Sequence, residues 1–247
     1  MTELELRTEV LALASMYLGC RTGDTSERII IDAYNSYFKG HYPRNYVLKY
    51  TDSWCQAFVE GVAIMSNLAD IFPAECGCQE ALNLAKSMGI CQARTYTPEP
   101  ADVVYFDNNG DGWSDHTGYV KLVKDGTLYT IEGNAMGGTC CEKSYDLNDK
   151  RIFAYVTPDY ERKADFVPDK PDYATDYDDG KVGHYSATTG LYIRQKPSGL
   201  SKAVGVIPKN NVVFCNGWYS KNGSTEWLYV DYNGTCGYSS GRYLTKL

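Results

Sequence analysis

The chain has 247 residues, of which 43% are hydrophobic and 22% charged, with 24 basic and 31 acidic side chains. This composition excludes a mainly disordered chain, and the absence of any run of 18 apolar residues excludes a membrane-spanning segment. The net charge of −7 argues against nucleic acid as a partner.

The charge is unevenly distributed along the chain. Residues 1–158 carry a net charge of −8, residues 159–181 carry −4, and residues 182–247 carry +5. We therefore predict an acidic domain over 1–158, an extended acidic linker containing prolines over 159–181, and a small basic domain over 182–247. The basic domain is interpreted either as attracted to an anionic surface or as an ordinary solvated charged face.

The first twenty residues predict a helix rather than a signal peptide. Glu3, Glu5 and Glu9 occupy positions where a signal peptide carries basic residues, and Leu4 and Leu11 recur at helical spacing. The expected localisation is therefore synthesis in the cytoplasm without a signal peptide, or a chain from which a leader was removed.

The pattern along the rest of the first domain changes from helix to strand. Cap residues, apolar spacing and a terminal glycine predict three further helices. The first follows a cap at Asp24 or Thr25 and includes Tyr37, the second is Trp54–Leu68, and the third is Glu80–Met88, which ends at Gly89. Alternating patterns then predict the strands Asp102–Phe106, Gly118–Val123, Thr127–Ile131 and Ile152–Val156. Helices followed by an antiparallel sheet give an α+β domain.

The C-terminal segment predicts a small all-β barrel. Asn-Gly turns separate its short apolar runs, which are Leu191–Arg194, Val212–Cys215, Trp227–Asp231 and Cys236–Ser239. A disulfide between Cys215 and Cys236 is left open.

The chain contains nine cysteines, so at least one lies outside any internal pair. Together with the missing signal peptide, this favours reduced thiols. Neither Cys76-x-Cys78 nor Cys140-Cys141 has the spacing of a structural zinc site, and only three histidines are present. Structural zinc is therefore not expected.

Cys55 is a candidate nucleophile because it lies in the first turn of a predicted helix. The partial positive charge and free N–H groups at a helix N-terminus favour a thiolate over a thiol. A thiolate there is a strong nucleophile at neutral pH. Taken alone, a cysteine in a helix is more often a buried packing residue than a catalytic one.

Two further segments offer a base and a group to orient it. His116 directly precedes a predicted strand, and Glu132 and Asn134 would share one face of another strand if that strand continued through Gly133. A histidine that activates a thiol needs a carboxylate or amide on its other ring nitrogen. The alternatives are a histidine in a surface turn and an ordinary strand end.

These segments together resemble the CHAP family, the cysteine- and histidine-dependent amidohydrolases/peptidases of the papain-like NlpC/P60 superfamily. The blocks WCQAF, TPEPADVVYFDNNGDGWSDHTGYV, YTIEGN and YVTPDY occur in the family's order, and the resemblance covers roughly residues 1–160. It implies Cys55 as nucleophile, His116 as base and Glu132 as the orienting residue. Asn134 corresponds to a further polar residue of that site, a helper or an alternative orienter.

The resemblance implies a papain-like fold and cleavage of an amide bond in the peptidoglycan of Gram-positive bacteria, as in bacteriophage endolysins. The activity that it implies requires no cofactor. The resemblance implies no protein partner and does not distinguish an amidase from an endopeptidase. Pro100-Ala101-Asp102 departs from the usual Pro-Gly-Asp; alanine costs little there if its φ is negative, so we do not expect the departure to inactivate the site. The alternatives are a non-catalytic wall-binding or scaffolding protein and a general papain-like protease.

Residues 185–247 resemble a bacterial SH3 (SH3b) domain through the blocks LYIRQKPSGL and GYSSGRYL. The resemblance implies wall binding by an aromatic groove, for which the candidates are Tyr192, Trp218, Tyr219 and Tyr238. Trp227 and Tyr243 are expected in the barrel core.

The segment from Asp107 to Asp115 resembles the first half of a calcium-binding EF-hand loop. Asp107, Asn109, Asp111 and Asp115 stand at ligand positions, but Gly118 replaces the glutamate at position 12. A calcium site and a tight turn rich in Asp and Asn are both consistent with the pattern, and we favour the turn.

Overall fold

The computed structural model of the protein describes residues 1–164 and 169–247. The chain divides into two compact units. The first comprises Thr2–Ile64 and Leu68–Ala164, and the second is formed mainly by the chain from Asp165 to Leu247. In the described parts of the chain, every helix is too short or too polar to cross a membrane.

The first unit begins with four α-helices, which are α1 (Glu3–Met16), α2 (Thr25–Tyr37), α3 (Cys55–Met65) and α4 (Cys78–Met88). Thr2 caps α1, because its hydroxyl accepts from the Glu5 N–H while the Glu5 carboxylate accepts from the Thr2 N–H. Gly89 ends α4 with a left-handed φ of 76°. The predicted helices are therefore present, although α3 ends three residues earlier than expected.

The helices are followed by a six-stranded antiparallel sheet in the order β1-β6-β2-β3-β4-β5. Its strands are β1 (Cys91–Ala93), β2 (Val103–Phe106), β3 (His116–Lys124), β4 (Thr127–Ala135), β5 (Thr139–Asp146) and β6 (Ile152–Val156). The α+β architecture agrees with the prediction. The sequence did not predict β1, which is only three residues long, or β5, which has few apolar residues.

Helix α3 packs closely against β3 and β4. The Tyr119 hydroxyl donates a 2.7 Å hydrogen bond to the Val59 carbonyl oxygen, and the Tyr119 ring meets Phe58 edge to face. A Cβ atom on Gly133 would lie 2.4 Å from the Cβ of Phe58. The glycine therefore allows α3 to approach the backbone of β4, which fixes the helix start relative to the sheet.

Ala101 has a φ of 69°, so the negative φ at which alanine would cost little in place of glycine is not adopted. An L-residue in this left-handed region costs about 1–2 kcal/mol relative to glycine. The turn is held by a hydrogen bond from Ala101 N–H to the Val120 carbonyl and one from Tyr160 O–H to the Ala101 carbonyl. Arg7 adds a 2.9 Å ion pair with the buried Asp102, so its neighbours hold the alanine in place.

The second unit is all-β. Its strands are β7 (Asp176–Tyr177), β8 (Gly183–Ala187), β9 (Leu191–Arg194), β10 (Ala203–Ile207), β11 (Val212–Asn222), β12 (Thr225–Tyr232), β13 (Thr235–Ser240) and β14 (Leu244–Lys246). They pair antiparallel in the order β10-β9-β13-β12-β11-β8-β14, and β7 pairs with β11. Among the described residues this path does not close on itself, so the SH3-like barrel stays a prediction.

The disulfide left open between Cys215 and Cys236 is not formed. Cys215 on β11 pairs with Val230, Cys236 on β13 pairs with Asp231, and β12 separates the two strands. Two strand spacings amount to about 9.5 Å, beyond the reach of a disulfide. Both thiols are free.

The predicted linker over 159–181 is largely part of the two units. Tyr160 is 1% exposed within the first unit, and Ala174 is 4% exposed beside Trp227 in the second. Tyr177 pairs with Trp218 across β7 and β11. The expectation of an extended linker is therefore wrong for these two ends, and residues 165–168 lie outside the described residues.

Candidate active site

Three elements bring the predicted catalytic residues together. Cys55 is the first residue of α3, His116 is the first residue of β3, and Glu132 and Asn134 lie near the end of β4. Cys55, His116 and Asn134 line one cavity of about 520 Å3. The structure thus joins residues that are up to 79 positions apart in the sequence.

His116 is held by a carboxylate on one ring nitrogen. Its Nε2 lies 2.9 Å from Oε2 of Glu132, which is fully buried. A Cβ on Gly118 would lie 2.6 Å from the Glu132 Cγ, so the bare backbone there gives the carboxylate room beneath the imidazole. With Nε2 bonded to Glu132, Nδ1 is the ring nitrogen that remains for the hydrogen bond with Cys55.

Glu132 is in turn fixed by two hydroxyl groups. Its Oε1 accepts hydrogen bonds from Thr130 Oγ1 at 2.5 Å and from the Tyr145 hydroxyl at 2.8 Å, and Lys143 Nζ lies 3.6 Å from Oε2. Burial alone would raise the Glu132 pKa, but the bonds from His116 and Thr130 and the charge of Lys143 bring it below its usual value. The carboxyl group is therefore ionised at neutral pH.

The surroundings of Cys55 and His116 favour an ion pair between them. A hydrogen bond from Cys78 and the contact with His116 lower the Cys55 pKa well below its usual value, although burial opposes this. Burial acts to lower the His116 pKa, but hydrogen bonds to Cys55 and Glu132 raise it to about 9. A thiolate and an imidazolium are thus the forms expected at neutral pH.

Asn134 has a different position from the one that an orienting residue needs. It lies in the cavity wall with a left-handed φ of 51°, a conformation that asparagine tolerates better than most residues. The imidazole nitrogen Nε2 is bonded to Glu132 instead. Of the two roles left open for Asn134, its place in the wall favours the helper.

Several residues around the site were not predicted from the sequence. Thr130 shares a strand face with Glu132 through the two-residue period, so its contact was detectable. Tyr145 lies on the unpredicted β5, which left no signal for its bond to Glu132. Cys78 was considered only as a zinc ligand, yet its Sγ lies 3.4 Å from Cys55 Sγ.

The loop from Asp107 to Asp115 folds on itself. Asp107 accepts hydrogen bonds from the N–H groups of Gly110 and Gly112, Asp111 accepts from the Trp113 N–H, and Asp115 accepts from Asn108. Within the described residues, no three His, Cys, Asp or Glu side chains converge as a metal site. The loop geometry is that of the turn we favoured, and calcium binding stays a prediction.

The candidate wall-binding aromatics of the second unit have different environments. Tyr192 is 53% exposed, whereas Trp218 and Tyr219 are half-buried. Tyr238 is 1% exposed and donates to the Asp172 carbonyl, so its ring is excluded from direct contact with a polymer and that assignment is corrected. Tyr243 was expected in the core but is 42% exposed.

Trp227 is 8% exposed, which confirms its expected place in the core. It packs with Tyr238, Ala174 and the partly buried Trp218 and Tyr229. The aromatic residues of this unit therefore divide into a packed cluster and a few exposed rings, of which Tyr192 is the most accessible of the four candidates.

Comparison with solved structures found similarities of low sequence identity. The crystal structure of Ly7917 is 13% identical, with 89% of this chain and 98% of that chain covered and a TM-score of 0.36. A crystal structure of Ly7917 with the hydrolyzing product of MDP gives 13% identity, 87% and 93% coverage, and a TM-score of 0.32. The structure of NlpC2 from Trichomonas vaginalis is 12% identical, with 64% of this chain and 47% of that chain covered and a TM-score of 0.24.

Similarities at these TM-scores do not establish a shared fold. No curated protein matches the chain. The family comparison is more specific, because residues 45–134 match the CHAP domain. This range is narrower than the predicted resemblance over 1–160, but it contains all four candidate residues. The match therefore covers 90 of the 247 residues of the chain and includes the segment that brings Cys55, His116, Glu132 and Asn134 together.

Proposed function

We propose that this protein is a peptidoglycan hydrolase that cleaves an amide bond with Cys55 as its nucleophile. The observation that carries the proposal is the contact series from Cys55 through His116 to the buried Glu132, inside the residues that match the CHAP domain. A thiol, an imidazole and a carboxylate in this order are the groups that nucleophilic cleavage of an amide requires.

The first step is attack of the Cys55 thiolate on the amide carbonyl carbon. The imidazolium of His116 contacts the Cys55 thiolate and stabilises it before attack. The first hydrogen bond of α3 runs from the Phe58 N–H to the Trp54 carbonyl, so the earlier N–H groups of the turn are not used within the helix. The backbone N–H of Cys55 belongs to this set and is a donor for the oxyanion that develops.

The second step is expulsion of the amine. His116 donates its Nδ1 proton to the leaving nitrogen, and the carbonyl carbon remains bound to Cys55 as a thioester. The neutral imidazole then takes a proton from a water molecule, which attacks the thioester and regenerates the thiolate. Throughout, Glu132 holds the ring and stabilises its charged form.

The chemistry of the cavity fits a polar, peptide-like substrate. Lys143 and Asp115 place opposite charges at its edge, and Ser53, Asn108 and Asn134 add hydrogen-bonding groups. Stem peptides and cross-bridges of peptidoglycan carry carboxylates, amines and amides that these groups can bind. The proposed substrate is the peptidoglycan of Gram-positive bacteria. Amidase and endopeptidase cleavage use the same steps, so the proposal does not choose between the two bonds.

The second unit is proposed to hold the enzyme on the wall. Residues 182–247 of this unit carry a net charge of +5, which the acidic residues 165–181 of the same unit reduce to +1, and Tyr192 is exposed. The basic residues of the later strands and the exposed ring support binding to an anionic polymer. Binding of this kind raises the effective concentration of the catalytic unit near its substrate. Tyr192→Ala is expected to lower co-sedimentation with purified peptidoglycan, while Tyr129→Ala, at an exposed tyrosine of the first unit, leaves it unchanged.

The function is tested by digesting purified Gram-positive peptidoglycan with the wild-type protein. We expect new amino termini and fragment masses that correspond to amide hydrolysis, without new reducing sugar ends. Release of reducing ends alone would overturn the proposal, because reducing ends report cleavage of glycosidic bonds and the proposed reaction cleaves an amide. No cleavage combined with retained wall binding would support the non-catalytic alternative.

A further inference from the structure

A second thiol lies against the candidate nucleophile. The Sγ atoms of Cys55 and Cys78 are 3.4 Å apart, and their side chains are 5% and 8% exposed. Both cysteines are free. Two thiols at this distance in a buried site share one hydrogen bond, so one sulfur donates a proton and the other accepts it.

The direction of that hydrogen bond follows from the charges around each sulfur. Cys55 faces the imidazole of His116, whereas Cys78 lies near the carboxylates of Asp115 and Glu80. Two thiolates cannot coexist at 3.4 Å without strong repulsion. Cys78 therefore keeps its proton, and its S–H donates to the Cys55 sulfur.

Cys78 is held in this place by a contact that the next residue of its helix makes outside the helix. It is the first residue of α4, and the next residue, Gln79, accepts a 2.7 Å hydrogen bond at Oε1 from the backbone N–H of Ser114. Ser114 lies two residues before His116. The start of α4 is thus tied to the strand that carries the base, so Cys78 and His116 approach Cys55 from two connected elements.

We infer that Cys78 is a positioning residue for Cys55. The thiol of Cys78 donates a hydrogen bond to the nucleophilic thiolate of Cys55 and fixes the direction of the Cys55 sulfur. The inference rests on the proposed function for its catalytic consequence. Its physical content, a donor that stabilises the Cys55 thiolate, is measurable without any substrate.

The test measures the rate at which iodoacetamide alkylates Cys55 as a function of pH, with the modified peptide quantified by mass spectrometry. Only the thiolate reacts, so the midpoint of the profile reports the ionisation of Cys55. The variants are Cys78→Ala, which removes the donor, and Cys78→Ser, which keeps one. Cys76→Ala is the matched control, since Cys76 is also 8% exposed in the same segment.

We expect Cys78→Ala to move the midpoint to higher pH by about one unit, which is a tenfold lower rate of alkylation below the midpoint. Cys78→Ser and Cys76→Ala should keep the wild-type midpoint. An unchanged midpoint in Cys78→Ala would overturn the inference. An equal shift in Cys78→Ser would also overturn it, because the loss would then reflect packing.

Thermal unfolding of each variant identifies those that fold. If Cys78→Ala does not fold, Cys78→Val supplies a second side chain without a donor and is judged by the same criteria. The outcome is separate from the proposed function. A shifted alkylation profile in a protein that cleaves no peptidoglycan would leave the thiol pair standing and reject the function, whereas peptidoglycan cleavage with an unshifted Cys78→Ala profile would reject only the role of Cys78.

Discussion

The first unit contains two polar motifs, and their side chains make opposite kinds of contact. Cys55, His116 and Glu132 come from three separate elements and are buried or nearly so. The acidic side chains of the loop from Asp107 to Asp115 are bonded within that loop and lie mostly at the surface. Both motifs border the same cavity, yet only the first brings distant residues into contact.

The difference shows what makes a polar cluster chemically active. Glu132 is fully buried, so its charge acts on His116 through a medium that screens it less than water does. In the loop, the side-chain oxygens bond to N–H groups of the loop itself and lie mostly at the surface, where water screens their charge more strongly. Burial and contact between distant elements therefore distinguish the candidate site from a turn of similar composition.

After removal of the nucleophile Cys55 itself, the largest effect is expected for the base. His116→Ala should lower peptidoglycan cleavage by about 10³-fold or more, because it removes both the partner of the thiolate and the proton donor for the leaving amine. The measurement is release of new amino groups from purified wall. His41→Ala is the control, since His41 is an exposed loop residue. Equal activity of the two variants would remove the distinction between the buried cluster and ordinary surface histidines.

The next effect concerns the carboxylate. Glu132→Gln should lower cleavage by about 10²- to 10⁴-fold, since an amide does not stabilise the imidazolium. The His116 pKa, raised to about 9 in the wild type, should fall when the negative charge is removed. The alkaline limb of the pH–activity profile should therefore move to lower pH.

Glu142→Gln is the matched control for this profile, because Glu142 is exposed on β5 and pairs with Lys121. Its profile should equal that of the wild type. An alkaline limb that stays in place in Glu132→Gln would contradict the assignment of that limb to His116.

A smaller effect, on stability, is expected where the helix approaches the sheet. A Cβ on Gly133 would lie 2.4 Å from Phe58 Cβ and 2.8 Å from Trp54 Cζ3, so Gly133→Ala should lower the free energy of unfolding by about 3 kcal/mol. Gly112→Ala in the loop meets no atom within 4 Å and costs only the left-handed φ, about 1–2 kcal/mol. Denaturant unfolding would compare them, and a larger loss at Gly112 would refute the packing argument.

The smallest effect is expected in the loop itself. Asp111→Asn keeps an oxygen for the Trp113 N–H, so cleavage should change by less than about twofold and stability by less than about 0.5 kcal/mol. A chelator should leave the thermal unfolding midpoint of the wild type unchanged, because the loop is closed by its own hydrogen bonds. A midpoint that falls on chelation and recovers with calcium would establish the metal site instead.

Sequence patterns identified the elements that carry the site but not all of its contacts. The spacing of caps and apolar residues predicted α3, and alternation predicted β3 and β4. Cys55 was therefore placed on the right helix, and His116 and Glu132 were placed directly beside the strands that carry them. The opposed thiol of Cys78 and the bond from Tyr145 to Glu132 depend on tertiary packing, which no local period encodes.

Backbone conformation was also beyond the sequence in places. The left-handed φ of Ala101 is imposed by tertiary bonds to Val120 and Tyr160, since alanine has no preference for it. The acidic composition of residues 159–181 predicted a linker, but Ala174 and Tyr177 pack within the second unit. Small apolar and aromatic residues among charges were enough to anchor this segment.

The central claim is that Cys55 performs the cleavage, and the most direct measurement is a paired digestion of purified peptidoglycan by the wild type, Cys55→Ala and Cys91→Ala. Cys91 is a half-buried free thiol on β1 in the same unit and serves as the matched control. We expect the wild type and Cys91→Ala to release new amino termini at equal rates, and Cys55→Ala to release none. Amino-terminus release by Cys55→Ala at the wild-type rate would contradict the account.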